Sequence, residues 1–389
     1  MRKLISFAFV LVVFAAYFAR TINPVHASDD FWTTKTPMGA ARTDLGVVAV
    51  GGKIYAIGGS APGGDTTNTN QVYDPTTDTW TSKAPMPGLR ADFGAAVYED
   101  EIYVMGGKWF VAGGVLDSVW VYDPIANVWA SKASMPTARM GVQANLVEGK
   151  IYVIGGQLDD KVIVNSTLIN KMTDVNEAYD PSTDTWTVKT PIPTPVCYYA
   201  SAVSGGKIYV IGGYTYTANS TSYTLVNLNQ IYDPQTDSWS SDTPIPQSVL
   251  ANAAATTGAM APRRIYVIGE GLNQVYDPQT DTWTVGASMP NEAERLKNFG
   301  SASVTVDNDL LYIVGGVYEG DNNQLHSSNF QYTPMGYGTP DLPTPSPTQN
   351  AQDLWSPPIV IIATACAMAA IAVAAGLLIY FRKLKSKTR

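Results

Sequence analysis

The stretch "DDFWTTKTPM", residues 29–38, decides the fold, because it is the second half of a unit whose first half does not precede it. Its Trp, Thr and Met-Pro features recur in "DPTTDTWTSKAPMP" at 74–87 and "DPQTDTWTVGASMP" at 277–290. Working outward, "YDPTTDTW" at 73–80 returns as "YDPIANVW" from 122, "YDPSTDTW" from 179, "YDPQTDSW" from 232 and "YDPQTDTW" from 276. Ahead of these lie "KIYAIGG" (from 53), "EIYVMGG" (from 101), "KIYVIGG" (from 150 and again from 207) and "RIYVIGE" (from 264). A sixth head, "LLYIVGG" from 310, is followed only by "SNFQYTP", which ends at Pro334. The tail stranded at Asp29 and the head stranded near Pro334 are therefore two parts of one unit, and six units with split ends imply a closed ring.

Each unit reads as β-structure. "GAAVYEDEIYVMGG" (94–107) has two alternating β-branched and aromatic runs around a tight turn, a hairpin signal. Asp74-Pro75 places a residue of fixed φ at the second position of a turn that aspartate caps, making "QVYDPTTDTWTS" (71–82) a second hairpin. Four antiparallel strands alone leave both faces wet. Packing such sheets radially buries the faces, and joining last to first removes the open interface. Trp32, Trp80, Trp129, Trp186, Trp239 and Trp283 form one series, expected to pack between blades.

With a period of ~50 residues, the double Gly, the Tyr-Asp-Pro turn, the spaced Trp and the closing Met-Pro resemble the kelch repeat family across residues 29–333. The resemblance implies an all-β fold: a six-bladed β-propeller of four-stranded antiparallel blades, the last closed by the N-terminal strand.

The two ends read differently. Residues 1–27 carry Arg2 and Lys3, an apolar run from Leu4 to Ala19 and a small residue at Ala27, the layout of a secretory signal peptide. The propeller is expected over 28–333 and a Pro/Thr-rich stalk over 334–357. A charge-free apolar stretch at 358–381 is long enough for a transmembrane helix, and the basic tail at 382–389 belongs on the cytoplasmic side. The expectation is a single-pass protein of the cell membrane with its propeller extracellular.

Removing the ends changes the charge. All 33 acidic residues but only 17 of the 25 basic ones lie in 28–357, a net charge of −16 that repels nucleic acid. Outside the expected signal peptide and membrane helix, Cys197 and His326 are the only cysteine and histidine, so no disulfide, no zinc site of two such ligands and no serine triad can be built. No cofactor and no metal is expected. Carboxyl-rich loops at Asp159-Asp160 and Asp321 lack the ladder of a calcium loop. Sequons at Asn165 and Asn219 fall in the longest loops.

Strand polarity in a meander puts the loops between strands 2 and 3 on the same face as the connections between blades. The other face carries the minimal turns "VGGK", "YEDE", "VEGK" and "SGGK". The unequal 2-to-3 loops begin at Lys108, Gln157 and Tyr214, and unequal loops on a regular scaffold mark the functional face. Where strand 1 begins, blades one to three carry Arg42, Arg90 and Arg139, with Asp44 and Asp92 two residues on. In kelch propellers an arginine at this place lines the central pocket and binds acidic partners, so the resemblance implies the same here. Blades four to six depart from it with "PVCYYAS", "SVLANAA" and "RLKNFGS", which put Tyr198, Tyr199, Asn252 and Lys297 near the pocket. Asp44 and Asp92 can pair with Arg42 and Arg90, whereas Arg139 has no such neighbour and is expected to meet an outside anion. Trp109, with Phe110, Tyr214, Tyr216, Tyr223 and Tyr318, adds aromatic surface suited to a sugar or peptide.

The reading is a cell-surface binding module recognising a protein or carbohydrate ligand, an anionic one included, through Arg42, Asp44, Arg90, Asp92, Trp109, Arg139, Tyr198, Tyr199, Asn252 and Lys297. The alternative is an enzyme. Six-bladed kelch propellers include sialic-acid mutarotases, and the three arginines could hold a sugar carboxylate, but only Glu292 and Glu294 offer glutamate near the inner ring.

Overall fold

The structure is a computed structural model that describes residues 30–109, 114–164, 167–216, 223–248, 253–269, 271–290, 296–297, 302–305, 308–318 and 325–339. All belong to the first of two compact units, Met1–Asp341. The expected signal peptide (1–27), the stalk from residue 340 and the membrane helix (358–381) lie outside the described residues. Within them, no helix is long and apolar enough to cross a membrane.

Six four-stranded antiparallel sheets make six blades. Blade 1 runs outward through Gly46–Val50, Lys53–Ile57, Asn70–Asp74 and Thr79–Ser82. The same order recurs in blades starting at Gly94–Tyr98, Ala144–Val147, Ala200–Ser204 and Ala253–Thr256. Blade 6 takes Ala302–Thr305, Leu311–Val314 and Asn329–Thr333 from the C-terminal side and its outermost strand, Phe31–Thr34, from the N-terminal side, with Trp32 opposite Tyr332.

The core lies between the blades. Second strands are buried on both faces and so read as unbroken apolar runs: Ile54 and Ala56 turn toward blade 6, Tyr55 and Ile57 toward blade 2. The gap between blades 6 and 1 is filled by Met38, Val47, Tyr73, Tyr312 and Val314, much as the other gaps are filled. Each buried apolar side chain contributes about 1.5–3 kcal/mol, which compensates for the missing disulfides.

Polar latches hold each blade to the one before. In blade 1 the Tyr73 hydroxyl donates to Asp78 at 2.6 Å, the same carboxylate accepts the Thr36 N–H at 2.9 Å, and the Trp80 indole N–H donates to the Thr36 carbonyl at 2.8 Å. Asp78 has φ 53°, a left-handed conformation that aspartate and asparagine tolerate best. The set recurs at Tyr122/Asn127/Trp129, Tyr179/Asp184/Trp186, Tyr232/Asp237/Trp239 and Tyr276/Asp281/Trp283. Tyr332, Asp30 and Trp32 complete the series. On the loop-bearing face, the second glycine of the double-Gly motif reaches the next blade: Gly59 N–H to Arg90 O (2.8 Å), Gly107 to Arg139 (2.9 Å), Gly156 to Val196 (2.9 Å) and, closing the ring, Gly316 to Arg42 (3.0 Å). Gly59 has φ 96°, and a Cβ there would stand 2.5 Å from the Thr43 carbonyl oxygen, so no other residue fits.

The tight-turn face departs from its expected plainness in blade 5. The turn at 257–264 is longer and wraps the buried Asp309, one carboxylate oxygen of which accepts the N–H groups of Gly258, Ala259, Met260 and Ala261 at 2.7–3.0 Å. Successive amides forming such a concavity are an anion cradle, here filled by the protein's own carboxylate. Gly338 N–H then bonds to Met260 O at 2.7 Å, which fastens residue 338 to this face.

Candidate functional site

The three arginines are not where the resemblance implies. Arg42, Arg90 and Arg139 are at most 1% exposed and turn into their own blades. Arg42 donates to the carbonyls of Gly58 and Ala56 and to the Gln71 side chain. Arg90 donates to the Ser118 carbonyl at 2.8 Å and lies over the Trp120 ring, 4.0 Å from its centroid. Arg139 pairs with Glu177 and donates to the carbonyl of Val153 at 2.8 Å. Burial lowers all three pKa values, Arg42 to about 10 and Arg90 to about 9. Neither expected local pairing forms: Arg42 takes Gln71 instead of Asp44, and Asp92 pairs with Lys108 instead of Arg90. Arg139, expected to meet an outside anion, finds a carboxylate in its own blade, on strand 3.

The residue on strand 3 three places before the Asp of each Tyr-Asp-Pro turn is what the arginine meets in blades 1 to 3. It is Gln71, Trp120 and Glu177 where an arginine faces it. In blades 4 and 5 the arginine is missing and Gln230 and Gln274 take over. Each accepts a backbone N–H and donates to the carbonyl of the same residue, Thr194 and Gln247 respectively. Both arrangements pin the connection between blades.

What does reach the channel mouth is the residue two places on. The N–H of Asp92 bonds to Asp44 O, that of Gly141 to Asp92 O and that of Tyr198 to Gly141 O, at 2.9–3.0 Å, linking four consecutive blades around the axis. All four residues are left-handed, with φ of 56°, 55°, 64° and 52°. Tyr198 is the bulky one. Blade 3 has glycine here because the Tyr198 ring lies across it, 3.1 Å from where a Cβ would be, and its hydroxyl reaches Asp92 two blades away at 3.3 Å.

Around this ring stand the residues that follow each double glycine. Ser60, Lys108, Gln157 and Tyr214 bridge to Thr43, Ala91, Met140 and Cys197. Lys108 pairs with Asp92 at 2.5 Å, and Ser60 donates to Asp44 at 3.2 Å. Burial, together with the Asp92 charge, raises the Asp44 pKa well above the usual carboxylate range. Burial, then Asp92, likewise raises Tyr198. On blade 4, Tyr216 stacks on Tyr223 (centroids 4.7 Å apart), Tyr214 packs at 5.3 Å, and Gln157 donates to the Tyr223 hydroxyl at 2.6 Å. Trp109 and Tyr223 are 38% and 43% exposed.

The structure thus brings Asp44, Asp92 and Tyr198 together and leaves Trp109 exposed beside Lys108. It buries Tyr199 entirely, its hydroxyl donating to Ile154 O at 2.6 Å. Asn252 lies outside the described residues. The backbone of Lys297 pairs with Val317, again the residue after a double glycine. Ser60, Lys108 and Gln157 escape a motif search because they share no residue type, only a register.

Fold and site together define a closed six-bladed propeller with a loop-bearing channel mouth. A model of the KLHDC2/KLHL20/DRC7 Kelch-repeats domain matches residues 25–156 and 95–316. The chain belongs to the kelch-repeat family. It is similar to Kelch-like protein terF of Aspergillus terreus (strain NIH 2624 / FGSC A1156), 27% identical over 44% of this chain and 39% of that protein. It is also similar to Kelch-like protein 36 of Bos taurus, 34% identical over 22% of this chain and 13% of that one. The chain therefore matches well under half the length of either relative. Among solved structures, "Structure of YjhT" superposes with TM-score 0.62 at 16% identity, covering 76% of this chain and 96% of that one, a likeness of fold alone.

Proposed function

We propose that the protein is a binding module that takes a protein or glycan ligand on the loop-bearing face, around Asp44, Asp92, Lys108, Tyr198 and the Tyr214/Tyr216/Tyr223 cluster. The observation that carries this is the contrast between scaffold and mouth: latches repeat in every blade, while the positions after the double glycine hold Ser60, Lys108, Gln157 and Tyr214. Latch positions maintain the ring; mouth positions are free to carry specificity. Tyr198 supports it too: held at φ 52°, at a cost of roughly 1–2 kcal/mol, it sets an aromatic ring across Gly141 at the mouth with its hydroxyl on Asp92. With the three guanidinium groups occupied internally and Lys108 paired with Asp92, the described mouth residues offer an anion no uncommitted cation. We therefore read the ligand as neutral or basic, and the anionic sugar of a mutarotase as the weaker fit.

The test is a photo-crosslinking residue placed in the purified full chain at position 109, with a control at position 52 on the tight-turn face, exposed to glycan arrays and cell-surface extracts. Adducts confined to position 109 and reduced by Tyr223→Ala support the reading; equal adducts at both positions defeat it. We place this module outside a membrane, anchored through 358–381. Protease added to intact cells then releases it by cutting after residue 339, and protection until the membrane is opened refutes the topology.

A further inference from the structure

The latch of blade 5 departs from the pattern of the others, and it does so on the outer rim, away from the mouth. The backbone N–H that meets each latch side chain belongs to Thr36, Ala84, Ala133, Thr190, Thr243 or Ala287 of the preceding blade. The residue just before it is Lys35, Lys83, Lys132 or Lys189 in the first four cases and Gly286 in the last. After the tyrosine and backbone hydrogen bonds, the charge of Lys35, Lys132 or Lys189 also favours the ionised carboxyl of Asp78, Asp184 or Asp237. Between blades 4 and 5 the position is Asp242, although "SDTPIP" (241–246) otherwise follows "VKTPIP" (188–193) closely.

Tyr276 therefore faces two carboxylates: its hydroxyl lies 2.8 Å from Asp242 Oδ2 and 2.8 Å from Asp281 Oδ1. A phenol has one hydrogen to give, so one of these contacts sets an acceptor against an oxygen that has nothing left to donate, and two like charges crowd one hydroxyl. Thr243 gives Asp281 both its N–H and its hydroxyl, which leaves Asp242 as the surplus acceptor. On its other side blade 5 is held firmly, since Asp309 of blade 6 accepts the four N–H groups of 258–261. Apolar packing runs unbroken between blades 4 and 5 through Tyr209, Ile211, Ile245 and Tyr276, so the weakness is confined to the latch. We propose that the ring opens locally at this seam, the outer edge of blade 5 parting from blade 4 before any other two blades part.

Amide hydrogen exchange of the full chain, corrected for intrinsic rates, tests this at Thr190 and Thr243, the same residue type in two latches. The Thr243 N–H is expected to exchange at least about tenfold faster than the Thr190 N–H. Asp242→Lys, which gives this junction the lysine of the four before it, slows Thr243 to the Thr190 rate. Asp242→Asn removes the charge alone and slows it part of the way, and the reciprocal Lys189→Asp speeds exchange at Thr190. A Thr243 N–H as protected as that of Thr190 in the unaltered chain, or one indifferent to both Asp242 variants, overturns the proposal.

Discussion

The Tyr332 hydroxyl donates to Asp30 at 2.6 Å across 302 residues of chain, the same bond that Tyr73 makes to Asp78 only five residues on. Asp30 also accepts the Ala287 N–H, so one carboxylate joins both ends of the ring to the preceding blade. Asp30→Ala is expected to lower stability by roughly 1–3 kcal/mol, and removal of residues 30–34 to lower the melting temperature further and expose a sheet edge that aggregates. A thermal melt of the truncated chain matching that of the full one would contradict the closure.

Arg139 and Glu177 are 0% and 2% exposed in their side chains. Arg139→Ala leaves a buried carboxylate alone and should cost roughly 3–5 kcal/mol, while the double substitution Arg139→Met, Glu177→Met recovers much of the loss. Chemical denaturation of the three proteins measures it. Equal stability of the single and double variants would mean that the ion pair does not hold the blade.

Acid should loosen the ring blade by blade. Hydrogen bonds from tyrosine and from backbone N–H groups hold the carboxyls of Asp78, Asp184, Asp237 and Asp281 below their ordinary pKa. A depressed folded pKa contributes stability above the unfolded value of about 4 and loses it as pH falls through the folded one, so the melting temperature drops below about pH 4. Blade 2 has Asn127 at this position, a built-in control. Asp184→Asn should therefore flatten the acid limb of a melting-temperature profile.

Asp44 has the opposite sign. Its pKa is raised by burial and by Asp92, so its contribution is present below the unfolded value and is lost as pH rises. Asp44→Asn, which keeps an acceptor for Ser60 and gains a donor toward Asp92, is expected to raise the melting temperature at about pH 7 and to do little at about pH 4. A stabilisation equal at both values would show that charge is not the cause.

Blade count, strand order and closure were legible in the sequence because Tyr-Asp-Pro, the spaced Trp and the double glycine act locally and recur with fixed spacing. The site was much less so. Arg139 looked solitary because Glu177 lies 38 residues further on, at a position that is glutamine in blade 1 and tryptophan in blade 2. Tyr198 reaches Asp92 over 106 residues, a meeting that only ring curvature arranges. Lys108 and Ser60 follow each double glycine in plain view, yet their shared register signals function only after strand pairing shows that it opens on the channel mouth.

The Asp30 N–H bonds to the Thr333 carbonyl at 2.9 Å, so the two ends of the propeller already touch. A propeller whose termini meet inside a blade has no mechanically privileged starting point. Covalently joining residues 30 and 333 through a short linker and cutting the chain anew between Gly51 and Gly52 gives a circular permutant in which every latch keeps its partners, including the one that crosses the old ends. The split blade is then a matter of chain bookkeeping, and the ring itself is the folding unit.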